Sequence, residues 1–176
     1  MARIIGITGG IGSGKTTVCN IFREQGYPVY DCDNEAKRLM QDDSGIRQQI
    51  LDLFGTLDRA EIARKVFDDK GLLQQLNNIV HPAVACDLQQ WAERQEKSIV
   101  FAESAILFES GLDKLCWKTV VVTAPEEVRI ERVMRRNGWT REQVVNRMRN
   151  QMPEEKLKHL ADIIIKNSEF SPSADG

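Results

Sequence analysis

Eight residues near the start of the chain, Gly9-Gly10-Ile11-Gly12-Ser13-Gly14-Lys15-Thr16, restrict the fold more than any other feature. They satisfy the pattern of a glycine, four residues, then Gly-Lys-Ser/Thr. They stand between an apolar run, RIIGIT at 3–8, and a stretch from Lys15 to Gln25 that places Val18, Ile21 and Phe22 on one helical stripe. Glycines there open backbone conformations closed to other residues and turn successive N–H groups toward one anion, while the helix N-terminus adds its dipole. A strand, a glycine-rich turn and a helix in that order form a phosphate-binding unit. Gly10, Ile11, Gly12, Ser13 and Gly14 supply the cradle, Lys15 reaches the β and γ phosphates of a nucleotide, and the Thr16 hydroxyl ligates magnesium. Thr17 lines the helix with at most a contact to the α-phosphate. The cofactors expected from this unit are ATP and Mg2+.

The rest of the chain repeats the strand-and-helix rhythm. SIVFAES at 98–104 and KTVVVT at 118–123 read as buried strands, and PVYD at 28–31 and ADIIIKN at 161–167 bring the set to five. Pro125 to Asn137 carries Val128, Ile130 and Val133 on one helical face. Strands alternating with helices predict an α/β fold, a five-stranded and mostly parallel sheet flanked by helices. The interval from Glu35 to Arg94 holds no convincing strand and reads as several helices, which suggests a helical substrate-binding subdomain. A second helical excursion follows Thr140, and the polar tail EFSPSADG is expected to fray.

Beyond the glycine-rich turn, single residues leave alternatives open. Asp31-Cys32-Asp33 falls at the carboxyl end of the second strand, the edge that faces the ligand crevice in open α/β sheets. Asp33 fits a general base there, and it equally fits an N-cap of the following helix. Glu103 ends the third strand where an acid would hold magnesium through water, or it is a capping or paired carboxylate. Arg129, Arg132 and Arg136 fall three and four apart, with Arg147 and Arg149 on the next helix; such cations neutralise a transferring phosphoryl group. Glu126, Glu127, Glu131 and Glu142 are interleaved with them, which favours a solvated, salt-bridged face. His81-Pro82 reads as a helix break, with Pro82 in the first turn of a new helix.

Composition excludes other classes. With 41% hydrophobic and 28% charged residues in 176, the chain is an ordinary globule, and a net charge of −2 gives no bulk field for nucleic acid. Four cysteines at wide spacings, Cys19, Cys32, Cys86 and Cys116, predict reduced, mostly packed thiols and a cytoplasmic setting. The apolar start MARIIGITGG is too short for a signal-peptide core, and no run approaches the roughly 20 residues of a membrane span.

Taken together these residues resemble the dephospho-coenzyme A kinase family over nearly the whole chain. GITGGIGSGKTT is similar to that family's GLTGGIGSGKS, and a short strand ending in Asp-x-Asp follows, here DCD at 31–33. LDRAEIARKVF matches a family element through Arg59, Val66 and Phe67. His81-Pro82, AILFE at 105–109 with Ala105 where the family usually has proline, Arg132 with Arg136, Arg147 with Gln151, and ADIIIKN complete the order. The resemblance implies a P-loop fold of the nucleoside-monophosphate-kinase type, with a core at 1–34, 98–137 and 161–170, a substrate subdomain at about 35–97 and a lid at about 136–160. It implies transfer of a phosphoryl group from ATP to the 3′-hydroxyl of dephospho-coenzyme A, both small molecules, with no nucleic-acid or membrane partner. By the same resemblance Asp33 is the base, Lys15 and Arg136 are catalytic, and Arg136 closes as the lid arginine. Arg132 contacts the nucleotide and Asn167 lies close to its adenine. Asp31, Arg59, His81, Phe108, Glu109 and Arg147 serve the substrate. Two other readings fit the turn alone: a kinase for a different small alcohol, and a nucleotide-dependent switch acting through a partner.

Overall fold

The computed structural model describes residues 1–167, so the tail EFSPSADG lies outside the described residues. Five strands, β1 (Arg3–Thr8), β2 (Val29–Asp31), β3 (Ile99–Glu103), β4 (Lys118–Thr123) and β5 (Ile163–Lys166), form one sheet in the order β2-β3-β1-β4-β5. Every pairing is parallel. All five predicted strands are present, within two residues at most of the expected ends.

The sheet separates two apolar layers by strict alternation. Ile4, Val100 and Ala102 face one side, together with Tyr30, and pack under helices α2 (Cys32–Asp42), α3 (Ser44–Phe54) and α5 (Lys70–Glu93). Ile7, Phe101, Val120 and Val122 face the other and meet Val18 and Cys19 of α1 (Lys15–Glu24). A side-chain period of two on strands and 3.6 on helices is what lets both layers close at once. β5 is an edge strand paired with β4, with Ile163 and Ile164 each 45% exposed.

The interval between β2 and β3 is helical throughout, α4 (Arg59–Asp68) completing the set. Its punctuation is acidic. Asp31, Asp43, Asp58 and Asp69 each accept a hydrogen bond from the backbone N–H three residues on, capping α2, α3, α4 and α5, each worth about 0.5–2 kcal/mol. α6 (Glu126–Asn137) ends on Gly138 at φ 67°. Thr140 and Gln143 then close a reciprocal capping box that starts α7 (Arg141–Arg149), and α8 (Glu154–Leu160) leads into β5.

One expectation is corrected here. His81-Pro82 does not break a helix: α5 runs 24 residues from Lys70 to Glu93 with Pro82 inside it. Proline removes one i→i−4 bond, that to the Asn78 carbonyl, but burial of Val80, Val84, Leu88 and Ala92 along one stripe holds both halves against the sheet. Tertiary packing outweighs the local cost.

Candidate active site

The order β2-β3-β1-β4-β5 puts the turn at the end of β1 over the middle of the sheet, between the ends of β3 and β4, where open α/β sheets hold ligands. Gly12 and Gly14 adopt φ of 78° and 90°, a region that costs a side-chain-bearing residue strain. Gly10 is small for a different reason: a Cβ there would overlap the guanidinium of Arg129. Gly10 through Thr17 line a cavity of about 210 Å3, closed by Ala105, Arg136, Arg147 and Gln151. Lys15 and Thr16 thus share one hollow with two arginines from later helices.

α6 presents two kinds of arginine, and the solvated reading holds for only some of them. Arg135 pairs with Glu131 and Arg141 of α7 pairs with Glu127, all exposed. Arg129, three residues before Arg132 on the opposite side of the glutamate rows, is buried; its Nε donates to the Ile11 carbonyl at 3.0 Å and its Nη1 to Glu154 at 3.2 Å. Arg132 donates to the carbonyls of Gly12 at 3.2 Å and Asn167 at 2.7 Å. Carbonyls of a loop whose N–H groups turn inward point outward, and these cations satisfy them. Asn167 donates from Nδ2 to Ser13 O at 3.0 Å, while its own Oδ1 and the Ser13 hydroxyl are buried without a hydrogen-bond partner among the described residues.

Thr16 and Glu103, far apart in sequence, meet behind the phosphate loop. The Thr16 hydroxyl donates to Glu103 Oε1 at 3.0 Å, and Glu103, at the end of β3, is 7% exposed. A hydroxyl beside a buried carboxylate, with no cluster of three metal-ligating side chains among the described residues, is a donor set suited to a hard cation that keeps water and phosphate oxygens as its remaining ligands.

At β2 the capping role falls to Asp31, not to Asp33. Asp31 accepts from Asn34 N–H at 3.1 Å and from Asn34 Nδ2 at 2.8 Å. This leaves Asp33 in the first turn of α2 with an exposed side chain and no capping role. Surrounding protein strips water from its carboxylate and raises its pKa; Lys15 opposes that, Asp31 adds to it, and Lys37 and a backbone bond at Ala105 pull back. Asp33 does not itself line the phosphate cavity; Lys15, which does, is close enough for its charge to act on the Asp33 carboxyl.

A second cavity, of about 460 Å3, lies between α5 and the turn after β3 and includes His81, Pro82, Glu109, Ser110 and Leu112. Burial lowers the His81 pKa and raises that of Glu109. Arg59 sits exposed at the first position of α4, and Phe108 lies half-buried in the turn after β3, its carbonyl accepting from Gly111 N–H. These four are not brought into the phosphate cavity. The thiols behave as expected: Cys19 and Cys32 are buried, desolvation pushes Cys19 and Cys116 up to about 12, and Cys86 is exposed. What residue-by-residue reading missed is Arg129, whose spacing was visible but whose direction was not.

A parallel sheet of this order, a glycine-rich phosphate cradle on β1, a hydroxyl–carboxylate pair behind it and arginines converging from the following helices define a P-loop kinase. Comparison with known proteins narrows the class. The dephospho-CoA kinase family profile matches residues 3–172. The dephospho-CoA kinase of Salinibacter ruber is 41% identical over 174 residues, covering 93% of this chain and 87% of that protein. A solved protein from Thermus thermophilus, 42% identical, matches with a TM-score of 0.86 over 95% of this chain and 89% of its own. Dephospho-CoA kinase from Campylobacter jejuni, 27% identical, matches with a TM-score of 0.66 over 96% and 89%. This chain belongs to the dephospho-CoA kinase family, which carries out the final step of coenzyme A biosynthesis. No helix among the described residues is long and apolar enough to cross a membrane.

Proposed function

We propose that this chain moves the γ-phosphoryl group of ATP directly to the 3′-hydroxyl of dephospho-coenzyme A, in the cytoplasm, with Asp33 as base and no covalent enzyme intermediate. Asp33 takes the hydroxyl proton as the ribose oxygen bonds to the γ-phosphorus; the bond to the β,γ-bridging oxygen breaks and ADP leaves. Positioning and charge neutralisation supply most of the acceleration in such transfers. Lys15 and the loop amides hold the β and γ phosphates, and Arg136 and Arg147 face the same hollow. Thr16, backed by Glu103, would hold Mg2+, which neutralises developing charge on the phosphate oxygens when bound. Asn167 Oδ1, a buried acceptor without a partner among the described residues, suits an adenine amino group beside Arg132.

Under this reading the helices at 35–97 form the substrate subdomain and 136–160 the lid. Asp31 aims Asp33 by capping α2. His81 and Glu109, around the second cavity, and Arg59 and Phe108 bind the rest of the acceptor. The observation that carries the proposal is the convergence of Lys15, Thr16, Arg136 and Arg147 on one phosphate-sized hollow. A coupled ADP-release assay tests it. Release should depend on dephospho-coenzyme A and on Mg2+, and a panel of nucleoside monophosphates should not replace the acceptor. ADP release at the same rate without any acceptor would discard the proposal in favour of a nucleotide-dependent switch. Lys15→Ala should lose about two to three orders of magnitude in turnover, as removal of one preorganised donor does elsewhere.

A further inference from the structure

Ile11 is held from both sides of its own backbone. Its N–H donates to Gln151 Oε1 at 2.9 Å, and its carbonyl accepts from Arg129 Nε at 3.0 Å. Gln151 follows the last turn of α7, with its backbone N–H on the Met148 carbonyl at 3.1 Å, and Arg129 is paired to Glu154 at 3.2 Å. Gln151 therefore ties the segment between α7 and α8 directly to Ile11, and Glu154, the first residue of α8, reaches the same residue through Arg129 of α6.

The Gln151 contact has a directional consequence. A backbone N–H can only donate, so the end of the Gln151 amide that meets Ile11 must be its oxygen, and the amide cannot turn over without losing the bond. Its nitrogen, with two donors, makes no hydrogen bond to any described residue, although Gln151 lines the same cavity as Lys15, Thr16, Arg136 and Arg147. A neutral amide pinned at its acceptor end and left with free donors on a cavity rich in cations is equipped to contact an anion's oxygen. Neither a salt bridge nor a packing role uses those donors.

We propose that Gln151 is a catalytic residue that donates from Nε2 to the terminal phosphoryl group of the nucleotide, with the Ile11 amide and Arg129 holding it in register. The inference rests on the reading of this cavity as the triphosphate site. It differs from the role of the arginines in kind: the contribution is geometric, one oriented donor, and adds no charge.

Two substitutions test it. Gln151→Glu keeps an acceptor for the Ile11 N–H and the length of the side chain but replaces the donors with a second oxygen; Gln151→Met removes both functions without adding charge. Binding of ADP and of a non-hydrolysable β,γ-imido ATP analogue is measured by calorimetry, beside steady-state turnover and the thermal midpoint without nucleotide. The expected result is a loss of tenfold to a hundredfold in kcat for Gln151→Glu, in the range of a charge-assisted hydrogen bond. The ratio of triphosphate to diphosphate affinity should also fall at least tenfold, with the thermal midpoint held. Gln151→Met should show the same change in ratio, more weakly. Equal weakening of ADP and the triphosphate analogue in both variants would reduce Gln151 to a support for the loop, and unchanged affinities and turnover would remove it from the site. The wild-type protein separates the two ideas: absence of acceptor-dependent ADP release refutes the proposed reaction, while the affinity ratio still reports on Gln151.

Discussion

The Thr16 hydroxyl donates to Glu103 Oε1 at 3.0 Å, joining the first turn of α1 to the end of β3 across 87 positions of sequence. Glu103 is buried there because β3 lies between β1 and β2, and its carboxylate has the Thr16 hydroxyl as its hydrogen-bond partner at the phosphate cavity. Glu103→Gln keeps the shape and removes the charge that, under the proposed function, backs Thr16 as a magnesium ligand. The half-saturating Mg2+ concentration for turnover should rise by about tenfold to a hundredfold, the usual cost of losing an outer partner of a metal ligand. A titration of activity with MgCl2 measures it, and an unchanged midpoint would separate Glu103 from the metal.

Asp33→Asn should lower kcat by about two to four orders of magnitude, the span of general-base contributions, while nucleotide affinity stays within a few-fold of wild type. Single-turnover kinetics beside a nucleotide-binding titration distinguish this from misfolding.

The direction of the Asp33 pKa sets the pH dependence. As the proposed base, Asp33 must be ionised to act, and its pKa is raised above the ordinary carboxylate value, chiefly by lost hydration. Turnover should therefore fall on the acid side at a higher pH than an unperturbed aspartate would give, and the limb should vanish in Asp33→Asn. For stability the sign is opposite. A carboxyl that binds its proton more tightly when folded favours the fold at low pH, and that favour is lost as pH rises through the raised value. Asp33→Asn should thus be at least as stable as wild type at neutral pH; urea unfolding at two pH values checks it.

Gly10→Ala should displace Arg129, because the new methyl overlaps its guanidinium while the Gly10 backbone is not in the left-handed region. Losing the partners of a buried cation costs about 1–3 kcal/mol or more. Both the thermal midpoint and nucleotide affinity should fall, and reversal of either by Arg129→Met in the same chain would identify the clash as the cause.

Pro82→Ala restores the N–H that α5 lacks opposite the Asn78 carbonyl. Relief of an interior proline is worth up to about 3 kcal/mol. The variant should be more stable to denaturant, and because Pro82 and Asn78 both line the second cavity, where the proposed function puts part of the acceptor, the acceptor KM is the parameter to follow beside it.

Much of the site was legible as text. The loop from Gly9 to Thr16 declares itself because its spacing is a local geometric requirement, and the five strands declare themselves by apolar runs. Asp31 and Asp33 show the limit: two carboxylates two residues apart are equivalent on paper, and only the start of α2 at Cys32 gives the cap to Asp31 and frees Asp33. Arg129 shows it again. Its place among alternating glutamates reads as a solvated face, whereas the fold turns it onto Ile11 and away from Glu131, whose partner is Arg135.

Sequence alone determined the phosphate cradle, the alternation of strand and helix and the family, because each depends on near neighbours or on the order of short motifs. Tertiary structure decided that Pro82 stays inside a helix, that Glu103 meets Thr16, and that Gln151 and Arg129 grip opposite sides of Ile11. Those outcomes depend on which burial wins and on distances between residues more than 80 positions apart, and no local pattern encodes either.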